Sequence, residues 1–140
     1  MTFVSNHDVT RIASQTDDWR DALDAAAILF TLPGLPTVYY GDELGWRGVK
    51  EDRLGGDDAI RPPLPDQMVP TDEIESQTLD AHRALIERRR ANPWLREARL
   101  EIVDLDHRHL VYRSHHDEHE VTVEVRNERD DADRRVTILD

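Results

Sequence analysis

The sequence contains no cysteine, a single lysine and no long apolar run. Without cysteine, neither a disulfide framework nor a catalytic or metal-binding thiolate is available. No stretch approaches the ~20 apolar residues of a membrane-spanning helix. Met1 is followed by a predicted strand rather than by the basic and apolar regions of a secretory signal peptide. We therefore expect a soluble chain with no membrane partner, and the cytoplasm is the favoured compartment.

The charge of the chain is strongly one-sided. Its 30 acidic residues outnumber 18 basic ones, and the net charge is -12. Such a surface repels phosphates, so nucleic-acid and anionic-membrane partners are disfavoured. Only 38% of the residues are hydrophobic, which predicts a modest core. Aspartate supplies 19 of the 30 acids and Lys50 is the only lysine, a composition that a high-salt cytoplasm or a GC-rich coding bias would each produce.

The first segment, FVSNHDVTR, places polar residues directly after an apolar start. We predict a strand from Phe3 that carries His7 and Asp8 at the point where it ends. A carboxylate at the end of a strand is typical of chemistry on a rigid scaffold. The alternative is that Asp8 only caps the next turn, as Asp and Asn at the ends of elements commonly do.

The next part of the chain predicts a parallel βαβ unit. A capping sequence ending at Asp18 precedes apolar residues at helical spacing, and the predicted helix ends at Leu32 before Pro33. The β-rich run from Pro36 to Tyr40 predicts a short buried strand. A strand, a helix and a strand in this order favour an α/β fold with parallel strands.

The remaining chain divides into a loop, a helix and a β-rich end. Residues 42–72 show no periodicity and contain four prolines, which predicts a long loop of functional interest. A second helix is predicted from about Ser76 to Ala91, with Asn92 and Pro93 ending it. Beyond Trp94 the apolar residues alternate, which predicts antiparallel strands in a small separate β-layer.

Three successive pieces of this sequence resemble one family of enzymes. They are FVSNHDVTR, AAAILFTLPGLPTVYYGDELG and GGDDAIRP. Their order and spacing resemble the C-terminal part of the catalytic barrel of the α-amylase family of glycoside hydrolases. The resemblance covers about Phe3 to Arg113, and the maltogenic-amylase, neopullulanase and α-glucosidase types look nearest. It implies an incomplete (β/α)8 TIM barrel over residues 1–93, comprising the last two strands and helices, and the start of a C-terminal β-sandwich over residues 94–140.

The resemblance also implies roles for four side chains. Asp8 would be the transition-state stabiliser, and His7 would donate to a hydroxyl of the same sugar ring. Asp57 and Arg61 would bind the sugar in the next subsite toward the non-reducing end. An anion fixed beside a ring that gains positive charge stabilises the transition state more than the ground state. The alternatives are a histidine that bonds a neighbouring strand and a loop-tying ion pair between Asp57 and Arg61.

The implied substrate is an α-1,4-linked glucan or a maltooligosaccharide, and no cofactor is implied. A retaining glycosidase needs a nucleophile and an acid about 5 to 5.5 Å apart. In the family these residues come from strands four and five, whose motifs are missing here. We therefore expect the chain alone to be inactive and its partner to be the missing N-terminal part of the barrel. A non-catalytic sugar-binding module and an acidic structural remnant remain alternatives.

Several other residues are expected to have structural roles. Asn6 and Arg11 are expected to hold the turn beside His7, and Asp42 and Glu43 are also interpreted as structural. A metal site is disfavoured for the histidine-rich tract because side chains on strands and a hairpin turn need not converge; its members are His107, His109, His115, His116 and His119. The arginines at 88–90 are expected to complement their helix dipole and bond surface acids.

Overall fold

The computed structural model describes residues 1–126 and 135–139. It contains two α-helices and one four-stranded antiparallel sheet, joined by long irregular segments and short 3-10 turns. Within these residues no helix combines the length and the apolar character needed to cross a bilayer. Residues 127–134 and 140 of the predicted β-domain lie outside the described residues.

The first helix, α1, spans Trp19–Thr31 and confirms the prediction from apolar spacing. Asp18 caps it, because its Oδ1 accepts the backbone N–H of Arg20 at 2.8 Å. The helix stops before Leu32, and Pro33 follows. Its buried apolar side chains are Ala22, Ala26, Leu29 and Phe30.

The second helix, α2, spans Glu73–Ala91 and begins earlier than the predicted Ser76. The reason is a capping arrangement in the preceding residues. Asp72 Oδ1 accepts the backbone N–H of Glu75 at 2.8 Å, and the Glu75 carboxylate accepts the N–H of Thr71 at 2.6 Å. Asn92 ends the helix, as predicted.

The sheet consists of four strands in sequential order. Every neighbouring pair is antiparallel, which confirms the prediction from alternating apolar residues. Tyr112 and Val123 lie opposite each other and face inward, and both are almost fully buried. The strands are β1 Arg99–Leu105, β2 His109–His116, β3 His119–Arg126 and β4 Val136–Leu139.

The inner face of the sheet packs against α1. Ala27, Ile28 and Leu32 contact the apolar cluster of the sheet, whose buried members include Tyr112 and Val136. The β-layer therefore shares its core with the first helix. This packing orients α1, and with it the segments that lead to and from the helix.

The two predicted parallel strands are the main correction to the sequence prediction. The segments run parallel, but they pair at one isolated bridge between Thr2 and Pro36. Thr2 N–H donates to Leu35 O at 2.9 Å, and Thr37 N–H donates to Thr2 O at 2.8 Å. The full strands predicted from Phe3 and over Pro36 to Tyr40 are wrong for this structure. Parallel strands are stable in sheets that are paired on both sides and covered on both faces, and within residues 1–126 and 135–139 no further strand pairs with these two segments.

Candidate functional site

The four side chains singled out in the sequence lie together in the structure. Arg61 Nη2 lies 2.9 Å from Asp8 Oδ1 and 2.7 Å from Asp57 Oδ2. Arg61 Nε donates to the backbone carbonyl of His7 at 2.7 Å. His7 Nε2 lies 3.2 Å from the other oxygen of Asp8. The loop after residue 42 thus folds back onto the first segment, although 53 positions separate Asp8 from Arg61.

These side chains lie at an open surface. The exposed fractions are 65% for His7, 58% for Asp8, 42% for Arg61 and 36% for Asp57. None of the four lines the cavity of about 450 Å³ between the first turns of α1 and α2. The site is therefore a polar, accessible surface with donors and acceptors of both charges, which suits a hydroxyl-rich ligand.

Short hydrogen bonds fix the turn that presents Asp8. Asn6 Oδ1 accepts the backbone N–H of Asp8 at 2.7 Å, and the buried Ser5 Oγ accepts the N–H of Ile12 at 3.0 Å. Asn6 therefore holds the turn, as predicted. The hydrogen bond from the Asp8 N–H to Asn6 constrains the backbone of Asp8, while the carboxylate of Asp8 remains exposed.

A buried ion pair lies behind this turn. Arg11 Nη1 donates to Asp42 Oδ1 at 3.0 Å and to the carbonyl of Tyr40 at 2.8 Å. The guanidinium is fully buried, and its carbon lies 4.6 Å from the ring centroid of Tyr39 and 5.9 Å from that of Trp46. Burial raises the pKa of Asp42, and the hydrogen bond from Arg11 opposes that shift. A structural role was predicted for both residues, but the sequence did not show that they pair.

Three backbone contacts attach the long loop to the first segment. Arg11 N–H donates to Gly48 O at 3.0 Å, Gly48 N–H donates to Ser14 Oγ at 2.8 Å, and Lys50 N–H donates to Thr10 Oγ1 at 3.0 Å. Lys50 Nζ in turn lies 3.6 Å from Asp57 Oδ1. Lys50 was missed as a site residue, because only its spacing of seven from Asp57 could have indicated the contact, in a loop without periodicity.

The histidine-rich tract does not form a metal site in the part of the chain that the structure describes. There, no three histidine or carboxylate side chains converge in an arrangement suited to a metal ion. His109 instead lies between Asp104 and Glu124, and His119 stacks on Trp94 with ring centroids 5.7 Å apart.

Comparison with known proteins shows the family of the chain. A family model for the catalytic domain of α-amylase matches residues 1–138. The chain belongs to the α-amylase family. A 4-α-glucanotransferase of Thermotoga maritima is 31% identical over 153 aligned positions, which cover 88% of this chain and 33% of the relative. The α-amylase MalA of Haloarcula japonica is 49% identical over 53 positions, or 37% of this chain and 8% of the relative.

The solved structures give the same family. The α-amylase from H. orenii superimposes with a TM-score of 0.71 at 27% identity, covering 89% of this chain and 29% of that one. This α-amylase family chain therefore spans about a third, or less, of the length of the relatives described here. The convergence of His7, Asp8 and Arg61 lies within the region that the family model matches.

Proposed function

We propose that this chain supplies part of the sugar site of a retaining glycoside hydrolase that acts on α-1,4-linked glucans or maltooligosaccharides. The observation that supports the proposal most is that Asp8 and Arg61, from separate sequence motifs, meet at one exposed site with His7 and Asp57. A 4-α-glucanotransferase and several α-amylases are among the relatives, which favours an α-glucan as the ligand.

Each side chain has a distinct role in this proposal. Asp8 stabilises the positive charge that develops on the ring in the oxocarbenium-like transition state. His7 donates to a hydroxyl of the same ring. Asp57 and Arg61 offer acceptors and a planar donor fork to the adjacent sugar.

The chain alone is proposed to be inactive. Hydrolysis with retention needs two carboxyl groups about 5 to 5.5 Å apart with the glycosidic bond between them. Asp8 and Asp57 both bond the same nitrogen of Arg61, so the guanidinium occupies the space between the two carboxylates. We propose that residues 1–93 form the end of a (β/α)8 barrel, that residues 94–140 begin a β-sandwich, and that polypeptide with the rest of the barrel supplies the nucleophile and the acid.

Binding and hydrolysis by the purified chain test the proposal separately. Titration with maltotriose, followed by NMR, should perturb the signals of His7 and Arg61 at millimolar sugar. Asp8→Asn should weaken this binding, while Asp66→Asn, at an exposed aspartate of the same loop that forms no ion pair with the four site residues, should leave it unchanged. No perturbation at millimolar sugar would contradict the sugar site. An assay for new reducing ends should give no signal above the blank, and measurable hydrolysis would contradict the proposed inactivity.

A further inference from the structure

The ionic groups of the site form a row with alternating charge. Lys50 Nζ lies 3.6 Å from Asp57 Oδ1, Asp57 Oδ2 lies 2.7 Å from Arg61 Nη2, and the same nitrogen lies 2.9 Å from Asp8 Oδ1. We call the four residues Lys50, Asp57, Arg61 and Asp8 the charge ladder. A cation therefore lies at one end of the ladder and the proposed ring-binding carboxylate at the other.

The ladder restricts the orientation of its two central groups. Each oxygen of Asp57 contacts a different cation, so rotation of this carboxylate breaks one contact or the other. Arg61 is held at two of its three nitrogens, because Nε donates to the His7 carbonyl while Nη2 bonds the carboxylates. A guanidinium fixed in this way loses little further freedom when a sugar binds.

The position of Lys50 is itself set by the first segment. Its backbone N–H donates to Thr10 Oγ1, two residues beyond Asp8. The lysine ammonium consequently reaches Asp57 from a backbone that is attached to the turn carrying the proposed ring-binding carboxylate. This arrangement connects both ends of the charge ladder to the same segment.

We propose that Lys50 is a positioning residue for the sugar site, acting through Asp57 on Arg61. This inference rests on the proposed function, since the site it serves is the proposed sugar site. With Lys50 present, Asp57 shares its charge between two cations, and Arg61 bridges both carboxylates. Without Lys50, the full charge of Asp57 draws Arg61 away from Asp8, and the donor fork is no longer held for the sugar.

The size of the effect follows from the exposure of the groups. Lys50 and Asp57 are 40% and 36% exposed, so solvent and salt screen their attraction. Exposed ion pairs of this kind correspond to roughly a two- to fivefold change in an equilibrium constant. We therefore expect Lys50→Met to weaken maltotriose binding by a few-fold rather than to abolish it, and to do so less in high salt.

Three variants of the chain test the proposal. Lys50→Met removes the charge, Lys50→Arg retains it, and Arg53→Met is the matched control. Arg53 lies in the same loop but pairs with Glu51 and not with the ladder. Two quantities are measured for each variant: the dissociation constant for maltotriose, and the solvent exchange of the Arg61 Nε–H by NMR without sugar.

Lys50→Met should weaken sugar binding and accelerate exchange of the Arg61 Nε–H, while Lys50→Arg restores both and Arg53→Met changes neither. If Lys50→Met and Arg53→Met give the same exchange rate and the same affinity as the unmodified chain, the positioning role is wrong. Failure of the unmodified chain to bind maltotriose would contradict the proposed function, and the Arg61 exchange rate would still decide whether Lys50 positions that side chain.

Discussion

The hydroxyl oxygen of Tyr112 lies 2.6 Å from the hydroxyl oxygen of Thr31, deep between the sheet and α1. Thr31 is the last residue of the helix, and Ser114 Oγ donates to its carbonyl at 2.7 Å. The side chains of Tyr112 and Ser114, which both belong to β2, are almost fully buried. These buried hydrogen bonds thus connect the sheet to α1 inside an otherwise apolar core. Burial raises the pKa of Tyr112 to about 12, while the bond with Thr31 opposes the shift.

Tyr112→Phe should destabilise the fold. Removing a buried hydrogen bond costs about 1 kcal/mol, with little change in packing because only the hydroxyl is lost. Urea unfolding measures the free energy of unfolding, and an unchanged midpoint would show that the hydrogen bond between Tyr112 and Thr31 does not stabilise the fold.

The same variant also tests how the stability of the fold changes at alkaline pH. The folded pKa of Tyr112 lies above its ordinary value of 10.0, so the neutral hydroxyl stabilises the fold below pH 10 and this contribution is lost as the pH rises toward 12. The loss of stability between pH 10 and 12 should be smaller in Tyr112→Phe than in the unmodified chain.

Periodicity and caps were sufficient to predict most of the regular structure. Both helices and the four antiparallel strands follow from apolar spacing. The helices and the strands β2, β3 and β4 each bury one face against a neighbour within the chain, whereas β1 shows the same alternation but is exposed along its whole length. The parallel strands could not be predicted reliably in the same way. Their sequences favour strands, but a parallel pair depends on flanking strands, and here only Thr2 and Pro36 pair.

The candidate site was only partly accessible to sequence reasoning. The motifs identified His7, Asp8, Asp57 and Arg61, which the structure brings together. The contact of Lys50 with Asp57 was not predictable, because it depends on how a loop without periodicity folds back. That path is set by backbone bonds and by close approaches at two glycines, Gly48 and Gly56, neither of which leaves a periodic pattern in the sequence.

Arg89→Met should destabilise the fold by breaking the contact between α2 and the C-terminal end of α1. Arg89 Nη1 donates to the carbonyls of Phe30 and Leu32 at 3.0 and 2.7 Å, and Nη2 donates to the carbonyl of Gly34. The sequence predicted that the arginines at 88–90 complement the dipole of their own helix and bond surface acids. Arg89 instead caps the C-terminus of the other helix, α1. Losing charged hydrogen bonds to these carbonyls should cost about 2 kcal/mol.

The matched control for this prediction is Arg90→Met, which removes the same charge from an exposed neighbouring position. Its effect on the free energy of unfolding should stay within about 0.5 kcal/mol. Equal losses in the two variants, measured by thermal or urea unfolding, would mean that net charge rather than the capping of α1 is responsible.

His109 should make the sheet sensitive to pH near neutrality. Its Nε2 lies 2.7 Å from Glu124 Oε1 and its Nδ1 lies 2.9 Å from Asp104 Oδ2, so it bridges β1 and β3 across β2. A neutral imidazole has one N–H, so both bonds require the protonated ring. The hydrogen bond to Glu124, followed by that to Asp104, raises the pKa of His109, although Arg126 also contacts Glu124 at 3.0 Å.

The stabilisation from His109 is fully present below its unfolded pKa and is lost as the pH rises through the higher folded value. NMR titration of the ring proton should therefore give a midpoint above 6.5. Glu124→Gln should lower that midpoint. A His109 midpoint at or below 6.5 would contradict the bridge.

Gly48→Ala should push apart two parts of the long loop, at Gly48 and at Ala59. A Cβ at this position would lie 2.2 Å from the backbone carbonyl oxygen of Ala59, which cannot move aside as the end of a flexible side chain could. The overpacking should cost about 1 to 3 kcal/mol, and relief of the clash should displace the segment that leads to Arg61. Leu54→Ala, at a fully exposed position of the same loop, is the control. We expect faster solvent exchange of the Arg61 Nε–H in Gly48→Ala and no change in Leu54→Ala; equal exchange in both variants would show that the close approach at Gly48 does not hold the site together.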